Sequence, residues 1–477
     1  MGWEWRQQDR AAVLECLQRG EYEAIMTTRE SALDALAHLA AELGVLEAVE
    51  VIEVWRERSG IPDELLLRTL AVLPFVEAMG LSAAANSLFE DAAILLQLGY
   101  TALQIQEGFN RRRGDEYEEK SSASRPCHGD VLRQECARIN PASLATFRRR
   151  CVSRLFERGL IRNRAYAVDG SGLGDSYRLV GLLCLQGETP LWVNWRLLSG
   201  AASEKGKEGS VLFEMIDEVR QLGGQEAIEW LLMDALYADG PLLAGLKYGR
   251  GIEALVRLPE DRVMYADLWQ LLARHPERRQ THLDSRYVSG HKQLREVTVG
   301  TVGGLDGWQS FVQASQAYGV AQPTLWGCAI EAVDKASPEE REEWALVSTR
   351  PFSTGWQAYT FWRQRWSIEN RGYRELKEGW HLERAPWSYT NDTVVLARVT
   401  FTLVAYNVAQ IAKTQAGRRL THQGIRRLRR QLRREIGLAP VIVFANGAYG
   451  IFDVEEVVTA LGRPPLFSVR RPARAPT

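Results

Sequence analysis

AYAVDGSGLGDSYRLVGLLCLQGETPLWVNWRLL, residues 165–198, contains three short apolar runs that are separated by turn residues. Such runs between Gly-, Asp- and Pro-containing turns are typical of an antiparallel meander. The pattern then changes, because GSVLFEMIDEVRQLG (209–223) has helical spacing and EWLLMDALYAD (229–239) begins as a buried strand. A further helix and strand end at IEALVRLP (252–259). The region therefore predicts three strands, a helix, a strand, a helix and a strand.

This is the element order of a ribonuclease H-like core, in which a mixed five-stranded sheet is flanked by helices. We therefore predict an α/β fold whose core comprises residues 164–257 and 346–415. The second part contains two long helical patterns, WQAYTFWRQRWSIENRGYRELKEGW (356–380) and TVVLARVTFTLVAYNVAQIAKTQ (393–415). The remaining predicted regions are a helical N-terminal region (1–125), short basic helices that suit a helix-turn-helix (126–163), a β-rich insertion (258–345) and a basic C-terminal region (416–477).

Composition limits the class of protein. Of 477 residues, 45% are hydrophobic and 25% are charged, which is typical of a soluble globular protein. No uninterrupted run of about 18 apolar residues was found, and MGWEWRQQDR lacks the apolar core of a signal peptide, so we expect a cytoplasmic protein without a membrane partner. The six cysteines lack a C-x-x-C pair, and Cys127-His128 with Cys136 lacks a fourth ligand at suitable spacing. Neither a disulfide framework nor a zinc site is favoured.

Charge is distributed unevenly along the chain. The net charge of -1 does not by itself indicate a nucleic-acid-binding protein. The first hundred residues are acidic, however, whereas basic residues cluster at Arg111–Arg113, at Arg148–Arg150 and from Arg418 to Arg434. Phosphate binding depends on local potential, because fields beyond about 10 Å are screened at physiological salt. The average charge therefore does not exclude a DNA-binding surface.

The strongest basic pattern is GIRRLRRQLRREIG (424–437). Its apolar residues recur at helical spacing, so one face is expected to pack on protein while the arginines face outward. The apolar positions are Ile425, Leu428, Leu432 and Ile436, and the arginines predicted to contact phosphate are Arg426, Arg427, Arg429 and Arg430. The alternatives are a solvated amphipathic helix and a helix that contacts an acidic partner.

Two aspartates follow apolar strand patterns. Asp169 ends AYAVD before Gly170-Ser171-Gly172, and Asp234 ends LLMD. Carboxylates at the ends of neighbouring strands, about 5 Å apart, can bind one or two hard cations. Each aspartate alone is also what an ordinary strand-end turn contains. Together, on the predicted strand order, they favour a metal site.

The third acid lies in the helical pattern 356–380. Positions Trp362, Arg365, Glu369, Tyr373 and Leu376/Lys377 recur every three to four residues and would share one face of a continuous helix. Such a face could set a carboxylate ligand among groups that bind backbone phosphate. The alternative is a solvated face in which Arg365 and Glu369 form an i,i+4 pair that contributes only about 0.3–0.5 kcal/mol.

These blocks resemble the bacterial insertion-sequence transposases of the DDE class, in the cut-and-paste group with the signature Y-x2-R-x3-E-x6-K. Residues 365–369, RWSIE, match the R-W-x-I-E centre of that signature, and AVDGSGLGDS and MDALYAD resemble the blocks around the first and second aspartates. EEWALVSTRPFSTGWQAYTFWRQRWSIE resembles the return from the β insertion to the glutamate helix. The resemblance covers about 160–400. Two positions depart from it, because the signature tyrosine falls on Trp362 and the lysine falls one residue late, on Lys377.

The resemblance implies a DNA transposase in which Asp169, Asp234 and Glu369 bind two Mg²⁺ ions, with Mn²⁺ as a substitute. It further implies that Trp362, Arg365 and Lys377 lie near DNA. The partners would be double-stranded transposon ends with terminal inverted repeats and target DNA, cut through a hairpin intermediate by a homodimer. Trp308 and Trp326 are candidates for stacking on a flipped base, although both suit a protein core.

Three other functions are compatible with parts of the sequence. A domesticated or decayed relative would bind DNA without recombining it. A structure-specific nuclease, such as a junction resolvase, would cut branched DNA on the same core. A helical scaffold protein would use the acidic N-terminal region to bind a partner, but it leaves the Asp/Asp/Glu arrangement unexplained.

Overall fold

The computed structural model describes residues 9–462 apart from 28–30, 57–59, 77–79, 82–86, 90, 102–103, 106–108, 110–125, 128, 289–290, 338, 340, 384–390, 416–423 and 436–440. The chain forms two compact units. The central unit contains Leu155–Leu376, and the terminal unit contains Met1–Arg154 and Lys377–Thr477. Several basic residues lie outside the described residues. They are the cluster Arg111–Arg113, His128 and residues 418–423 of the basic C-terminal region.

The structure is a mixed α/β protein with a nine-stranded and a three-stranded sheet. The strands are β1 Ala24–Thr27, β2 Ala165–Leu173, β3 Tyr177–Cys184, β4 Leu191–Ser199, β5 Trp230–Met233, β6 Glu253–Leu258, β7 Arg279–Val288, β8 His291–Leu305, β9 Leu325–Asp334, β10 Arg341–Ser348, β11 Val441–Ala445 and β12 Ala448–Phe452. The α-helices of the central unit are Leu212–Gly223, Gly240–Arg250, Val263–Arg274, Gln309–Gln316 and Gly355–Arg363. Elsewhere the α-helices are Arg10–Gln18, Ser31–Glu42, Val45–Ala48, Asp63–Val72, Ala92–Gln97, Gly129–Arg138, Pro141–Glu157, Asp392–Gln415, Ile425–Glu435 and Val454–Ala460.

The large sheet has the order β4-β3-β2-β5-β6-β10-β9-β8-β7. Strands β2, β3 and β4 are antiparallel, whereas β5 pairs in parallel with both β2 and β6. The parallel pairs require crossover connections, which the helices Leu212–Gly223 and Gly240–Arg250 provide. The three strands, helix, strand, helix and strand predicted from the sequence are confirmed.

The helix between β4 and β5 shows how the spacing of apolar residues determines which face of a helix packs on the large sheet. Leu212, Met215, Ile216 and Val219 are spaced for one face of a helix, and all four side chains are buried. The helix packs against β4, whose Trp192 and Trp195 are among the largest fully buried side chains. The apolar stripe therefore covers one part of the sheet.

The prediction of a five-stranded sheet with a separate β insertion needs correction. The predicted strands of residues 258–345 are present as β7 to β10, but they continue the same sheet. The connection is made by β10, which pairs antiparallel with β6 on one side and with β9 on the other. Two helices, Val263–Arg274 and Gln309–Gln316, were not predicted in this region.

The long helix predicted over 356–380 is interrupted. An α-helix, Gly355–Arg363, is followed by a turn at Gln364–Arg365 and then by π-helical segments Ile368–Tyr373 and Glu375–Gly379. Apolar spacing does not distinguish these helix types over so few turns, and π-helical turns occur often at functional sites. The positions from Trp362 to Lys377 therefore do not share a continuous α-helical face.

The terminal unit is built around the helix Asp392–Gln415. Its residues from Val394 to Lys413 are nearly all buried, among the helices Ser31–Glu42, Asp63–Val72 and Gly129–Arg138. By length and composition this helix could cross a membrane, although no membrane-spanning helix was predicted from the sequence. Of its most apolar 18-residue stretch, however, 94% is buried. Such burial is what the core helix of a folded unit shows.

Both ends of the chain contribute to the small sheet, which has the order β1-β11-β12. In the region predicted as the basic C-terminal region, 416–477, the structure has the helix Ile425–Glu435, strands β11 and β12 and the helix Val454–Ala460. Strand β1 falls in the region predicted to be helical, and it pairs antiparallel with β11. The helix Arg10–Gln18 packs on this sheet through Val13, Cys16 and Leu17.

The predicted pair of basic helices is present as Gly129–Arg138 and Pro141–Glu157. Asn140 acts at the start of the second helix, because its Oδ1 accepts a hydrogen bond from the Ala142 N–H at 3.1 Å. The Ser143 hydroxyl instead donates to the Asn140 carbonyl and accepts the Glu53 N–H. Arg148 is buried, so the cluster Arg148–Arg150 does not present three free guanidinium groups.

Candidate active site

Strands β2 and β5 bring two aspartates side by side. Their parallel register pairs Ala165 with Trp230 and Ala167 with Leu232. Continued by two residues, the same register places Asp169 opposite Asp234, across a strand spacing of about 5 Å. Both aspartates therefore lie where the pairing of these two strands ends.

The sequence predicted that Asp169 ends its strand, but Asp169 lies in the middle of β2. The strand continues through Leu173 because residues Gly170 to Leu173 remain paired with β3. The Gly-Ser-Gly sequence resembles a turn, but Gly170 has a different role. A Cβ at this position would lie 2.5 Å from Cγ of Glu208, so only glycine fits. The aspartate is thus held on a strand that is paired with β3 along this whole stretch and with β5 as far as Ala167.

The carboxyl group of Asp169 is mostly buried, and its side chain is 16% exposed. Burial raises the pKa of Asp169 to about 6, and repulsion by Glu369 and Asp234 acts in the same direction. The Gly170 N–H, which donates to Oδ1 at 2.8 Å, and the Arg365 guanidinium oppose this increase. The site therefore has an excess of negative charge, which disfavours ionisation of Asp169 unless a cation is close.

Arg365 links the third acid to the first. Its Nη2 lies 2.7 Å from Oε1 of Glu369, and its Nη1 lies 3.7 Å from Oδ2 of Asp169. Because one guanidinium reaches both carboxylates, the two acids face the same small volume. The Arg365 side chain is 4% exposed, whereas that of Glu369 is 45% exposed.

The π-helical segment that carries Glu369 is fixed to the sheet by Tyr373. The single proton of the Tyr373 hydroxyl is shared between two acceptors, the Asp169 carbonyl oxygen at 2.7 Å and the Leu179 carbonyl oxygen at 3.0 Å. Its ring packs on Trp192, with centroids 5.1 Å apart. A Cβ on Gly372 would lie 2.8 Å from the Trp192 ring, so this glycine permits the close approach. Tyr373 thereby couples the position of Glu369 to the strand that carries Asp169.

Tyr237 and an ion pair complete the surroundings of the aspartates. Asp234 precedes a short 3-10 turn, Ala235–Tyr237, which returns the Tyr237 ring to the buried side of the site. Burial raises the pKa of Tyr237 well above its ordinary value, and the carboxylate of Asp169 adds to this effect. Among the described residues its buried hydroxyl has no hydrogen-bond partner. Next to Gly170, the buried Glu208 is paired with Arg178.

Sequence reasoning assigned no role to Tyr237, Glu208 or Arg178, and it placed Tyr373 on the helix face without a function. Tyr237 lies three residues after Asp234 in the MDALYAD block, which is a signal that could have been used. Glu208 lies in a polar, Gly-containing loop, ASEKGKEGS, where no pattern distinguishes it from a solvated glutamate.

The donor chemistry of Asp169, Asp234 and Glu369 suits a hard divalent cation, because all three supply carboxylate oxygens. The arrangement, however, is not that of an assembled metal site. Within the part of the chain that the structure describes, no three acidic, histidine or cysteine side chains are close enough to bind one ion. Instead the guanidinium of Arg365 lies between two of the acids.

The other residues predicted to contact DNA near the cut are placed differently. Trp362 is 3% exposed, and its Nε1–H donates to the Met233 carbonyl at 3.4 Å, so it is part of the protein core. Lys377 belongs to the terminal unit, where its Nζ lies 3.7 Å from Oε1 of Glu383. Neither side chain is presented in the described structure as a free phosphate ligand.

The arginine-rich helix is present as Ile425–Glu435, with Ile425 and Leu428 buried. Arg426, Arg427 and Arg430 are exposed, as predicted for a phosphate-binding face. In contrast to the prediction, Arg429 is 5% exposed and donates to the Pro74 carbonyl at 3.2 Å. Ile436 lies outside the described residues.

The two candidate base-stacking tryptophans differ. Trp308 is buried, with the Arg262 guanidinium 6.0 Å from its ring centroid. Trp326 is half-buried and lines an open groove of about 550 Å³ together with Arg278, Gln280 and Thr301. Only Trp326 is therefore placed where a planar group from solvent can reach it.

The cysteines Cys127 and Cys136 are buried free thiols.

No protein-family description matches the chain, and no curated protein sequence is significantly similar to it.

Proposed function

We propose that this chain is a DNA transposase of the DDE class, which cuts transposon ends and joins them to target DNA. One observation carries the proposal: Asp169 and Asp234 lie just beyond the last parallel pair of β2 and β5, and Glu369 shares the guanidinium of Arg365 with Asp169. Two acids that are distant in sequence thus share one cationic group, and Asp234 lies opposite one of them, Asp169, in the strand register. The resemblance of residues 160–400 to these transposases gives the arrangement its functional interpretation.

The strand order supports a ribonuclease H-like core within the larger sheet. β4-β3-β2-β5-β6 has three antiparallel strands followed by two parallel strands, and helices connect β4 to β5 and β5 to β6. Ligands of open α/β sheets bind beyond the carboxyl ends of parallel strands. Asp234, directly after β5, occupies such an end. Under this proposal, β7 to β10 extend the core sheet on one side.

Asp169, Asp234 and Glu369 are the residues that would hold Mg²⁺ or Mn²⁺. Two such ions, when bound, supply charge that activates an attacking oxygen and stabilises the leaving 3′ oxygen of a phosphodiester. The chain's own contribution is positional: the strand pairing fixes the two aspartates, and Tyr373 fixes the segment of Glu369. Arg365 places a permanent positive charge beside the acids, where an anionic phosphate would otherwise be repelled.

The exposed arginines of the terminal unit supply a second part of the proposal. Arg426, Arg427 and Arg430 project from one helix whose opposite face is buried, an arrangement that suits contact with backbone phosphates. By resemblance, the enzyme would act as a homodimer in the cytoplasm, with each subunit binding one DNA end. A hairpin intermediate is part of this proposal.

The test uses a plasmid that carries the gene with its flanking genomic DNA, incubated with purified full-length protein in Mg²⁺. Wild-type protein should nick the DNA at inverted repeats that flank the gene, and the 3′ ends should later appear joined to target DNA. Asp169→Asn, Asp234→Asn and Glu369→Gln should each abolish nicking, whereas Asp261→Asn, at an exposed turn of the same unit, should not. Wild-type-like nicking by any triad variant would remove that residue from the site. Cutting of branched DNA without strand transfer would instead indicate a structure-specific nuclease.

A further inference from the structure

The guanidinium of Arg365 is buried without being fully bonded. Its side chain is 4% exposed, and its Cζ lies 5.2 Å from the centroid of the Trp362 ring. Arginine has five N–H donors, which in a buried structural role are usually satisfied. Within the described residues, Nε and Nη1 of Arg365 have no hydrogen-bond partner, although both are buried. Among the described residues, the shortest contact of its guanidinium with an acid is therefore the 2.7 Å contact with Glu369.

The contact with Asp169 is looser. At 3.7 Å, Nη1 and Oδ2 form an ion pair but lie beyond hydrogen-bonding distance. Oδ1 of Asp169 is used by its neighbour, the Gly170 N–H. The geometry thus fits a guanidinium that is held between two carboxylates by charge. Some of its N–H donors have no acceptor among the described residues.

The local charges do not balance. Asp169, Asp234 and Glu369 carry three negative charges when ionised, and Arg365 supplies one positive charge. The neighbouring arginine, Arg178, is already paired with Glu208. A divalent ion would reduce the imbalance more than a guanidinium does, and it could approach carboxylate oxygens to about 2.0–2.2 Å.

We propose that the Arg365 guanidinium occupies the cation position between Asp169 and Glu369, and that a divalent cation must displace it to bind there. The inference rests on the proposed function for the identity of the site, but it concerns metal binding and not DNA cutting. Arg365 then acts as an internal counterion that holds the acids together before the metal arrives. After displacement, its charge is released for an anionic ligand of the same site.

Arg365 lies at a junction between two types of helix. Gln364 and Arg365 form a turn between the α-helix Gly355–Arg363 and the π-helical segment Ile368–Tyr373. The backbone bonds here are of the 3-10 type, because the Arg365 N–H donates to the Trp362 carbonyl at 2.9 Å and the Ile368 N–H donates to the Arg365 carbonyl at 3.0 Å. Glu369 is more exposed than Asp169, so solvent reaches the Arg365–Glu369 pair from the side of Glu369.

Isothermal titration of Mn²⁺ into the full-length protein tests the proposal. Arg365→Gln removes the competing charge, so we expect Mn²⁺ to bind about tenfold or more tightly than to the wild type. Arg350→Gln is the matched control, because Arg350 forms an exposed pair with Glu229 in the same unit. This variant should bind Mn²⁺ like the wild type. Equal affinity of Arg365→Gln and wild type would overturn the proposal.

Salt separates displacement from a general electrostatic effect. Removing any nearby positive charge attracts cations at long range, but that effect is largely screened at about 1 M salt, where the Debye length is about 3 Å. A gain in affinity that persists at high salt supports direct competition. A gain that disappears at high salt contradicts it.

A second measurement follows Mg²⁺ binding to the wild-type protein, and the conservative variant Arg365→Lys serves only to assign the signal. Mg²⁺ is titrated while the Nε–H signals of ¹⁵N-labelled arginine are followed by NMR. One arginine signal, absent from the spectrum of Arg365→Lys, should move in step with Mg²⁺ binding. Binding of Mg²⁺ without any change in that signal would refute displacement, as would the absence of Mn²⁺ binding by both wild type and Arg365→Gln. If Mn²⁺ displaces Arg365 but DNA is not cut, only the proposed function fails.

Discussion

Two buried arginines, one in each unit, contact carboxylates in different ways. In the terminal unit, Arg56 is 8% exposed and Glu135 is fully buried. The Arg56 Nε lies 2.7 Å from Oε2 of Glu135, Nη1 donates to the Ile61 carbonyl at 3.0 Å, and Nη2 also contacts Glu135. In the central unit, Arg365 has two nitrogens without a hydrogen-bond partner among the described residues. An arginine whose three nitrogens all have acceptors, beside a fully buried acid, indicates a structural role, whereas a buried arginine with two nitrogens that lack acceptors, beside a partly exposed acid, indicates a ligand site.

The largest expected difference between the two clusters is in catalysis. Under the proposed function, Glu369→Gln should reduce DNA nicking by at least about 10³-fold, because it would remove one of three acids that are proposed to act together. Glu135→Gln should leave nicking within a few-fold of wild type. Rates are measured under single-turnover conditions on the plasmid that carries the flanking DNA. A comparable loss in both variants would mean that the clusters do not differ in role.

The next largest expected effect is on the free energy of unfolding. Here the cluster of Arg56 should be affected more than the cluster of Arg365. Arg56→Met leaves Glu135 buried without a counterion, so the free energy of unfolding at pH 8 should fall by about 3–5 kcal/mol. Arg365→Met should cost only about 1–2 kcal/mol, because water reaches the 45%-exposed Glu369. Urea unfolding of both variants and of the surface control Arg350→Met measures this. A greater loss for Arg365→Met than for Arg56→Met would contradict the structural assignment of Arg56.

A pH titration of stability sharpens the description of the closed cluster. Burial raises the pKa of Glu135 to about 7 from its ordinary 4.5, against the effect of Arg56. A carboxyl whose pKa is raised by folding stabilises the fold when protonated. Its contribution is complete below pH 4.5 and is lost as the pH rises through 7, by about 1–3 kcal/mol. The difference in unfolding free energy between wild type and Glu135→Gln should show this dependence. A difference that is constant from pH 4.5 to 8 would exclude it.

The contrast between the arginines also shows what the sequence could predict. The strands around Asp169 and Asp234 were predictable, because apolar runs of strand length alternate with helical spacing over a short part of the chain. The burial of Arg365 and Arg429 was not predictable, because arginine in a polar helix usually lies in solvent. Their positions depend on partners distant in sequence, such as Asp169 and the Pro74 carbonyl.

The extent of the sheet and the type of helix were missed for related reasons. The pairing of β6 with β10 joins strands separated by the whole region predicted as an insertion, and no local pattern specifies that pairing. The π-helical segment Ile368–Tyr373 depends on the contact between Gly372 and Trp192, which is also non-local. Local spacing thus predicted the elements, whereas the completed sheet determined how Glu369 reaches the aspartates.

The smallest expected effect applies the comparison to two tyrosines near Asp169. Tyr373→Phe removes a hydroxyl that lies within hydrogen-bonding distance of two buried carbonyl oxygens, so the free energy of unfolding should fall by about 1–2 kcal/mol. Tyr237→Phe removes a buried hydroxyl that has no partner among the described residues, so stability should be unchanged or rise by up to about 1 kcal/mol. The two variants have the same change of composition, and thermal unfolding in the absence of metal compares them directly. If Tyr237→Phe is the more destabilised, the Tyr237 hydroxyl is already bonded in the protein, and the central site is more closed than its contacts indicate.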